Sequence, residues 1–230
     1  MAAARVAPAD VWVGAGARWQ YRLLRLVAVP ILRLLFRLRV RGRANIPRKG
    51  GYIIVANHLN WIDAPAILLG FPIEPRINFV ADAGFVGTRR LQWFVANQIG
   101  GVIPVANHGH AEAELAARLG ECLASGGVVA LFPEGHYSDA EGHVLPFHTS
   151  FARVALETGA PVLPVGISGS RHLWLGKRVT TIVGTPIPPA GHTVESLVAM
   201  ARDRVEALLP TYVEPRGPRF FRRLLSRAFS

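Results

Sequence analysis

The chain has 230 residues, of which 50% are hydrophobic and 18% are charged, a composition that excludes an intrinsically disordered protein and predicts one sizeable core. Its only cysteine, Cys122, excludes an intrachain disulfide. The formal net charge of +11 is concentrated at the two ends, and basic ends of this kind indicate an anionic partner, either a membrane surface or a nucleic acid.

The first element in chain order is a basic amphipathic segment over residues 16–42, which follows a flexible stretch predicted over 1–15. On a helical projection five of its arginines fall within an arc of about 120°, namely Arg18, Arg22, Arg25, Arg33 and Arg37, and its large apolar residues take the opposite side. Its longest uncharged apolar run, LVAVPIL, is far shorter than the roughly 20 residues of a transmembrane helix. The pattern predicts a helix in the membrane interface, bent at Pro30. The alternative is that the apolar side packs on the protein's own core while the arginines are solvated.

The other basic end, residues 211–230, repeats this chemistry, because phenylalanine and leucine are interleaved with arginine in PRFFRRLLSRAFS. We expect both ends to associate with an anionic membrane surface, as a peripheral protein on the cytoplasmic face of the cell membrane. The sequence contains no nucleic-acid-binding motif, so we expect no nucleic acid as a partner.

Between these ends, over residues 43–210, short apolar runs alternate with helical patterns. The predicted strands cover 51–57, 76–81, 101–106, 127–132, 161–167 and 178–184. The predicted helices cover 62–69, 85–98, 110–124, 149–158 and 193–208. Apolar β-branched runs separated by helices are typical of a mostly parallel sheet with helices on both faces. We therefore predict a single α/β domain, preceded by the basic amphipathic helical segment.

The stretch NHLNWID, after the predicted strand 51–57, places His58 and Asp63 five positions apart. On one continuous helix their side chains would point about 140° apart, so they meet only if His58 lies in the turn and Asp63 in the first turn of the helix. A neutral imidazole there can take a proton from an attacking hydroxyl, and a carboxylate on its other ring nitrogen fixes its tautomer. For the pair alone we prefer the structural interpretation, a histidine that caps a helix and an aspartate in its first turn.

A second candidate stretch, FPEGHYSD, follows the predicted strand 127–132, and sites in open α/β sheets gather at the carboxyl ends of strands. Pro133 and Gly135 predict a tight turn that pushes Glu134 outward, where its carboxylate can bind the hydroxyls of a polar acceptor. A plain turn with a solvated glutamate is an equally supported alternative.

Together, the two stretches resemble the glycerolipid acyltransferase family, typified by bacterial 1-acyl-glycerol-3-phosphate acyltransferase. NHLNWID matches the family's N-H-x-x-x-x-D block, FPEG matches its F-P-E-G block, and VLPVGI at 162–167 matches its late V/I-P-V block. The resemblance covers residues 40–190 and implies transfer of a fatty acyl group from acyl-CoA or acyl carrier protein to a lipid hydroxyl, with no bound cofactor. It implies that His58 and Asp63 are catalytic. The substrate-binding positions it implies are Phe132, Pro133, Glu134, Gly135, Tyr137 and Asn107.

The chain departs from the family at positions that the resemblance links to the acceptor's phosphate. Asn107 and Tyr137 stand where the family has arginine, and His148 stands where it often has lysine. Neutral side chains cannot reproduce the bidentate grip of a guanidinium. We therefore expect a lysolipid acceptor other than lysophosphatidic acid. A 1-acylglycerol-3-phosphate acyltransferase proper, and a catalytically silent lipid-binding protein of the same fold, are the alternatives.

Two components of such a site have no motif of their own. For the oxyanion of the tetrahedral intermediate, backbone amides at the helix start beside His58 are the candidate donors. The histidines after FPEG, namely His136, His143 and His148, lie in a polar loop without a compact ligand spacing, so we expect no bound metal.

Overall fold

The computed structural model describes residues 15–17, 19–48, 50–82, 101–105 and 111–226. It begins with helix α1 (Trp19–Leu35), which runs directly into strand β1 (Phe36–Arg41) and a 3-10 turn (Arg43–Asn45). The further strands are β2 (Tyr52–Ala56), β3 (Ile77–Asp82), β4 (Val102–Val105), β5 (Val128–Leu131), β6 (Val162–Ser168) and β7 (Lys177–Val183). The further helices are α2 (Asp63–Gly70), α3 (Ala111–Ala124), α4 (Ser150–Thr158), α5 (Val194–Leu208) and α6 (Arg222–Ser226).

The described strands form one sheet in the order β1-β7-β6-β2-β5-β3-β4. Neighbouring strands are parallel except for β6 and β7, which are antiparallel. The prediction of an α/β domain with a mostly parallel sheet is therefore confirmed. The elements predicted from 51 onward agree with the described ones to within one residue at each end, and the predicted helix 85–98 lies outside the described residues.

Hydrophobic clusters cover both faces of the sheet. Along β2, Tyr52 and Ile54 belong to the cluster packed under α1 and α2, while Ile53 and Val55 belong to the cluster packed under α3, α4 and α5. Because successive side chains of a strand point to opposite faces, a strand covered on both sides is a continuous apolar run, as YIIVA is. The predicted cover of helices on both faces is confirmed.

The prediction of a helix over 16–42 is wrong in its last part. The helix ends at Leu35, and residues 36–41 pair in parallel with β7 as an edge strand of the sheet. In FRLRVR the apolar residues alternate with exposed arginines and pack on the core, which is the period of a strand and not of a helix. The sheet therefore begins at Phe36, before the predicted domain start at residue 43. Across the described residues, no helix has the length and apolarity that crossing a membrane requires.

Helix α1 turns an apolar face to solvent. Six large apolar side chains of α1 have exposed fractions of 50–81%: Trp19, Leu23, Leu26, Val27, Ile31 and Leu34. Two of its arginines turn back toward the domain, since Arg22 pairs with Glu74 at 2.6 Å and Arg25 donates to the carbonyl oxygens of Phe71 and Pro72. The other side of α1 packs on the core through the buried Tyr21 and the partly buried Leu32 and Leu35, so the helix both contacts the domain and exposes apolar side chains.

Candidate active site

The connection between β2 and α2 brings His58 and Asp63 together at the carboxyl edge of the sheet. The Nδ1 atom of His58 lies 3.0 Å from Oδ2 of Asp63, which is the first residue of α2. The Asp63 side chain is fully buried, whereas 18% of the His58 side chain is exposed. The predicted geometry, with the histidine in the turn and the aspartate in the first helical turn, is confirmed.

The same carboxylate oxygen also holds the backbone of the connection. Oδ2 of Asp63 accepts hydrogen bonds from the amides of Leu59 at 2.6 Å and Asn60 at 2.8 Å. An ionised carboxylate accepts and cannot donate, so the His58 tautomer that fits this contact carries its proton on Nδ1. Nε2 is then the basic nitrogen of the ring.

The amides beside His58 are not available to an oxyanion, so that expectation is wrong. The N–H of His58 donates to Glu134, and those of Leu59 and Asn60 donate to Asp63. The next amide, that of Trp61, donates to the side-chain oxygen of Asn60 at 2.8 Å. These four amides, from His58 to Trp61, hold the connection in place.

Glu134 points inward, which corrects the prediction that the turn pushes it outward. The residue is 1% exposed, and its Oε1 accepts the backbone N–H of His58 at 3.1 Å. The physical reason is the turn at Phe132–Gly135, closed by the Gly135 N–H on the Phe132 carbonyl at 3.1 Å, which directs the carboxyl group toward the neighbouring strand end. Burial raises the pKa of Glu134 to about 7, although amide hydrogen bonds from His58 and Leu145 act to lower it.

Two aromatic rings enclose the imidazole. The ring of Phe132 stacks on that of His58 with centroids 3.8 Å apart and an interplanar angle of 8°. Tyr137, which is 39% exposed, also contacts the imidazole. Its ring is tilted by 55° relative to that of His58, and the two ring centroids lie 4.3 Å apart. These rings limit the access of water to the base and offer apolar surface beside it.

Pro133 and Gly135 build the turn itself. Pro133 is buried, and its carbonyl accepts the N–H of His148 at 2.8 Å. Gly135 has a φ of 76°, and a Cβ at this position would lie 3.1 Å from Nε2 of His148, so both backbone and space favour glycine. Asn107, the remaining predicted position, lies outside the described residues.

Asn57 is a site residue that the motif alone did not single out. It is fully buried, donates to the carbonyl of Ile167 at 2.9 Å and accepts the N–H of the same residue at 2.7 Å. Its amide side chain thus continues the pairing of β2 with β6 past the end of the strand and fixes the start of the connection. The signal was an asparagine directly after a buried strand, immediately before the histidine.

Among the described residues, the side chains that form a hydrogen bond or a ring contact with the His58 imidazole are Asp63, Phe132 and Tyr137, and none of them is cationic. Within the part of the chain that the structure describes, the guanidinium of Arg171 contacts the FPEGHYSD loop. Arg171 donates to the carbonyl of Ser138 at 2.7 Å and lies 3.8 Å from the carboxylate of Asp139.

The C-terminal segment lies against the same connection. The indole N–H of Trp61 donates to the carbonyl of Leu225, and the side-chain amide of Asn60 donates to the carbonyls of Arg171 and Ser226. Ser226 in turn accepts the N–H of Leu173 through its hydroxyl at 2.9 Å. Sequence reasoning did not connect the basic tail with NHLNWID.

Comparisons with known proteins relate the chain to acyltransferases. The sequence profile of the family described as Acyltransferase matches residues 37–168, more than half of the chain. The 1-acyl-sn-glycerol-3-phosphate acyltransferase of Haemophilus influenzae is 27% identical over 213 residues, which cover 84% of this chain and 80% of that protein. An uncharacterized protein of Mycobacterium tuberculosis is 30% identical over 155 residues, and the match covers 63% of this chain but 42% of that protein, so the chain spans less than half the length of that relative.

A solved structure shares the fold. The crystal structure of the 1-acyl-sn-glycerophosphate acyltransferase PlsC from Thermotoga maritima superposes with a TM-score of 0.64 and 26% identity, covering 82% of this chain and 76% of that one.

Proposed function

The chain belongs to the Acyltransferase family, that of the glycerolipid acyltransferases, and from this premise we propose that it moves a fatty acyl group from a thioester to the hydroxyl of a lysolipid at a membrane surface. The observation that carries the proposal is the 3.0 Å contact between Nδ1 of His58 and the fully buried carboxylate of Asp63. A buried carboxylate on Nδ1 fixes the tautomer that leaves Nε2 free to accept a proton, and it stabilises the imidazolium that forms during the reaction.

In the proposed reaction, Nε2 of His58 takes the proton of the acceptor hydroxyl as its oxygen attacks the thioester carbonyl carbon. The tetrahedral intermediate collapses when the carbon–sulfur bond breaks, and the leaving thiolate takes the proton from His58. The products are an ester and a free thiol, and the base returns to its starting state. No covalent acyl-enzyme is needed, because the acceptor hydroxyl is itself the nucleophile.

Glu134 and Phe132 act as positioning residues in this proposal. Glu134 accepts the backbone N–H of His58, and the carbonyl of His58 accepts the N–H of Ser138 at 2.7 Å. The FPEGHYSD loop therefore binds both backbone polar groups of His58. The stacked ring of Phe132 fixes the plane of the imidazole. A base held in one orientation loses less free energy to ordering when the substrate arrives.

The acyl donor in this proposal is acyl-CoA or acyl carrier protein, with no bound cofactor or metal in the reaction. For the acceptor, we propose a lysolipid without a terminal phosphomonoester, because the side chain of Tyr137 faces the base where a guanidinium would bind phosphate more strongly. The names of the Haemophilus and Thermotoga relatives support lysophosphatidic acid as the competing acceptor.

The membrane part of the proposal rests on exposed apolar surface. Besides the apolar face of α1, the C-terminal segment exposes Phe220, Phe221 and Leu224 by 61%, 64% and 67%. Leu175 donates its N–H to the carbonyl of Phe220, and Gly176 donates to the carbonyl of Leu35 at the end of α1, so the two surfaces are neighbours. Apolar side chains bordered by arginines bind anionic interfaces, and we propose the cytoplasmic face of the cell membrane as their location.

The test is release of thiol from palmitoyl-CoA by the purified chain on anionic vesicles, with a panel of lysolipids that includes lysophosphatidic acid. We expect acceptor-dependent release that His58→Ala abolishes. The matched control is His192→Ala. Strand β7 runs antiparallel to β6, so the segment that follows β7 and contains His192 begins at the edge of the sheet opposite to His58.

Each outcome decides one point. Release that His58→Ala leaves intact, or no release with either acyl-CoA or acyl carrier protein, would overturn the acyl-transfer proposal. Turnover of lysophosphatidic acid far above that of every other lysolipid would overturn the proposed acceptor class while keeping the reaction.

A further inference from the structure

An open cavity of about 660 Å³ lies between α1, the 3-10 turn and the end of α2, a volume in the range of small-ligand sites. It is separate from the site around His58. Asp63 begins α2 and the cavity meets its last residue, Gly70, which is about 10 Å further along the helix axis. The charged residues that line it are Arg25, Arg33, Arg43, Arg48 and Glu74.

The cavity is lined by four arginines and one glutamate, so its positive charge is only partly neutralised by the protein. Glu74, its one acid, pairs with Arg22 at 2.6 Å, and Arg25 is held by the carbonyls of Phe71 and Pro72. The other three arginines are exposed and have no acid or acceptor among the described residues: Arg33, Arg43 and Arg48. Guanidinium groups around one cavity repel one another, and an anion bound between them relieves that repulsion.

The chemistry of the lining selects phosphate. A guanidinium matches two oxygens of a phosphate at once, and such bidentate, charge-assisted hydrogen bonds are stronger than those of neutral donors. The 3-10 turn that carries Arg43 is anchored, because Asn45 donates to the carbonyl of Val183 at 3.0 Å. Gly42 before it has a φ of 72°, and a Cβ there would clash with the same carbonyl oxygen, so this close approach of the turn to β7 requires glycine.

The position of the cavity selects a lipid as the source of that phosphate. Arg33, on its rim, is followed in α1 by Leu34, which is 81% exposed on the apolar face. A phosphate in the cavity leaves the acyl chains of its lipid beside that face, where the bilayer would be. We propose that this arginine cavity binds the headgroup phosphate of an anionic phospholipid, a proposal that rests on the membrane association proposed above.

The test is calorimetric titration of the full chain with monomeric dihexanoyl phosphatidylglycerol. Arg43→Gln/Arg48→Gln removes two cavity arginines. Arg178→Gln/Arg204→Gln removes the same charge from exposed positions on the opposite face of the sheet, where α5 packs. We expect the cavity variant to bind about tenfold more weakly or worse and the control variant to change less than about twofold. Circular dichroism melting checks that both variants fold.

Three results would overturn the proposal. If lipid binding weakened equally in the two double variants, the loss would come from the lower net charge and not from the cavity. Equal binding of dihexanoyl phosphatidylcholine would remove the preference for an anionic headgroup. Stronger binding of inorganic phosphate or coenzyme A, lost in the cavity variant, would assign the cavity to a free phosphate or to the acyl donor.

A variant of opposite sign adds an independent check, because Glu74→Gln removes the cavity's acid and releases Arg22, and it should tighten the lipid. This titration needs no turnover, so it separates the two proposals. If the chain binds lipid through the cavity arginines but transfers no acyl group, the proposed reaction is wrong and the cavity assignment stands.

Discussion

The indole N–H of Trp61 donates to the backbone carbonyl of Leu225 at 2.8 Å, although the two residues are 164 positions apart. Helix α6 therefore rests on the connection that carries His58. Leu225 and Trp61 also both pack against the core cluster under α1 and α2. A basic segment that sequence alone leaves as a tail is thus a structural support of the candidate site.

Removing this one donor should loosen α6. Trp61→Phe keeps an aromatic ring against Phe36 and deletes the N–H. A partly buried hydrogen bond contributes about 1 kcal/mol, so we expect the opened form of α6 to become about fivefold more populated. The readout is the rate of trypsin cleavage at Arg222 and Arg223, and Trp19→Phe, at a residue that is 69% exposed, is the control. Equal rates in the two variants would contradict the proposed support.

The charge of Asp63 should matter more than its hydrogen bonds to the backbone. In Asp63→Asn the side-chain oxygen can still accept from Leu59 and Asn60, but a neutral group does not stabilise the imidazolium of His58. We expect kcat for acyl transfer to fall by a factor on the order of 10³–10⁴. The control is Asp203→Asn, whose side chain is 73% exposed on α5. A loss below about tenfold would remove Asp63 from the proposed mechanism.

Glu134 should make the chain less stable as the pH rises. Its pKa in the folded protein is about 7 against an ordinary value of 4.5, so the folded state binds the proton more tightly. Its contribution to the free energy of unfolding is fully present below pH 4.5 and is lost as the pH rises through 7. A rise of this size corresponds to about 3 kcal/mol at most.

Glu134→Gln tests this, because its amide oxygen can still accept the His58 N–H but does not titrate. We expect the variant to gain stability relative to the unmodified chain between pH 5 and pH 8, as measured by urea unfolding at both values. Glu157→Gln, at an exposed position of α4, should show no such gain. Parallel pH dependences for the Glu134 variant and the unmodified chain would exclude a raised pKa at Glu134.

The apolar face of α1 should carry membrane affinity without carrying stability. Leu34→Ser changes a side chain that is 81% exposed, so the melting temperature should hardly move. If the leucine enters the bilayer, its loss costs about 1.5–3 kcal/mol, and partition onto anionic vesicles should weaken by about tenfold to hundredfold. Met200→Ser on α5, 36% exposed on the other side of the sheet, is the control in the same co-sedimentation assay. Unchanged partition of the Leu34 variant would exclude this face as the membrane contact.

Local patterns predicted most of the fold because each element has a strong period of its own. The meeting of His58 with Asp63 was also predictable, because the two residues flank one connection and helical geometry leaves a single way to bring them together. Strand β1 was missed because FRLRVR follows α1 without a glycine or proline, and its first arginine, Arg37, also fits the helical arc of the preceding arginines.

Long-range contacts explain the other differences. The inward turn of Glu134 depends on the N–H of His58, 76 positions away, and no local pattern contains that partner. The contact of Trp61 with Leu225 spans still more of the chain. In both cases the residue type was visible in the sequence, whereas its partner is supplied by the order of strands in the sheet.

Leu35 ends α1 and Phe36 begins β1, so no linker separates the helix from the sheet. A tethered domain would swing at the end of its anchor and sample many heights above a bilayer. Here the helix and the sheet are continuous, so on the proposed membrane association a tilt of α1 in lipid would also tilt the strands that end beside His58. On the proposed membrane association, the depth of α1 would set the height of the base above the phosphates, and a lysolipid would be selected by where its hydroxyl lies in the interface as well as by its chemistry.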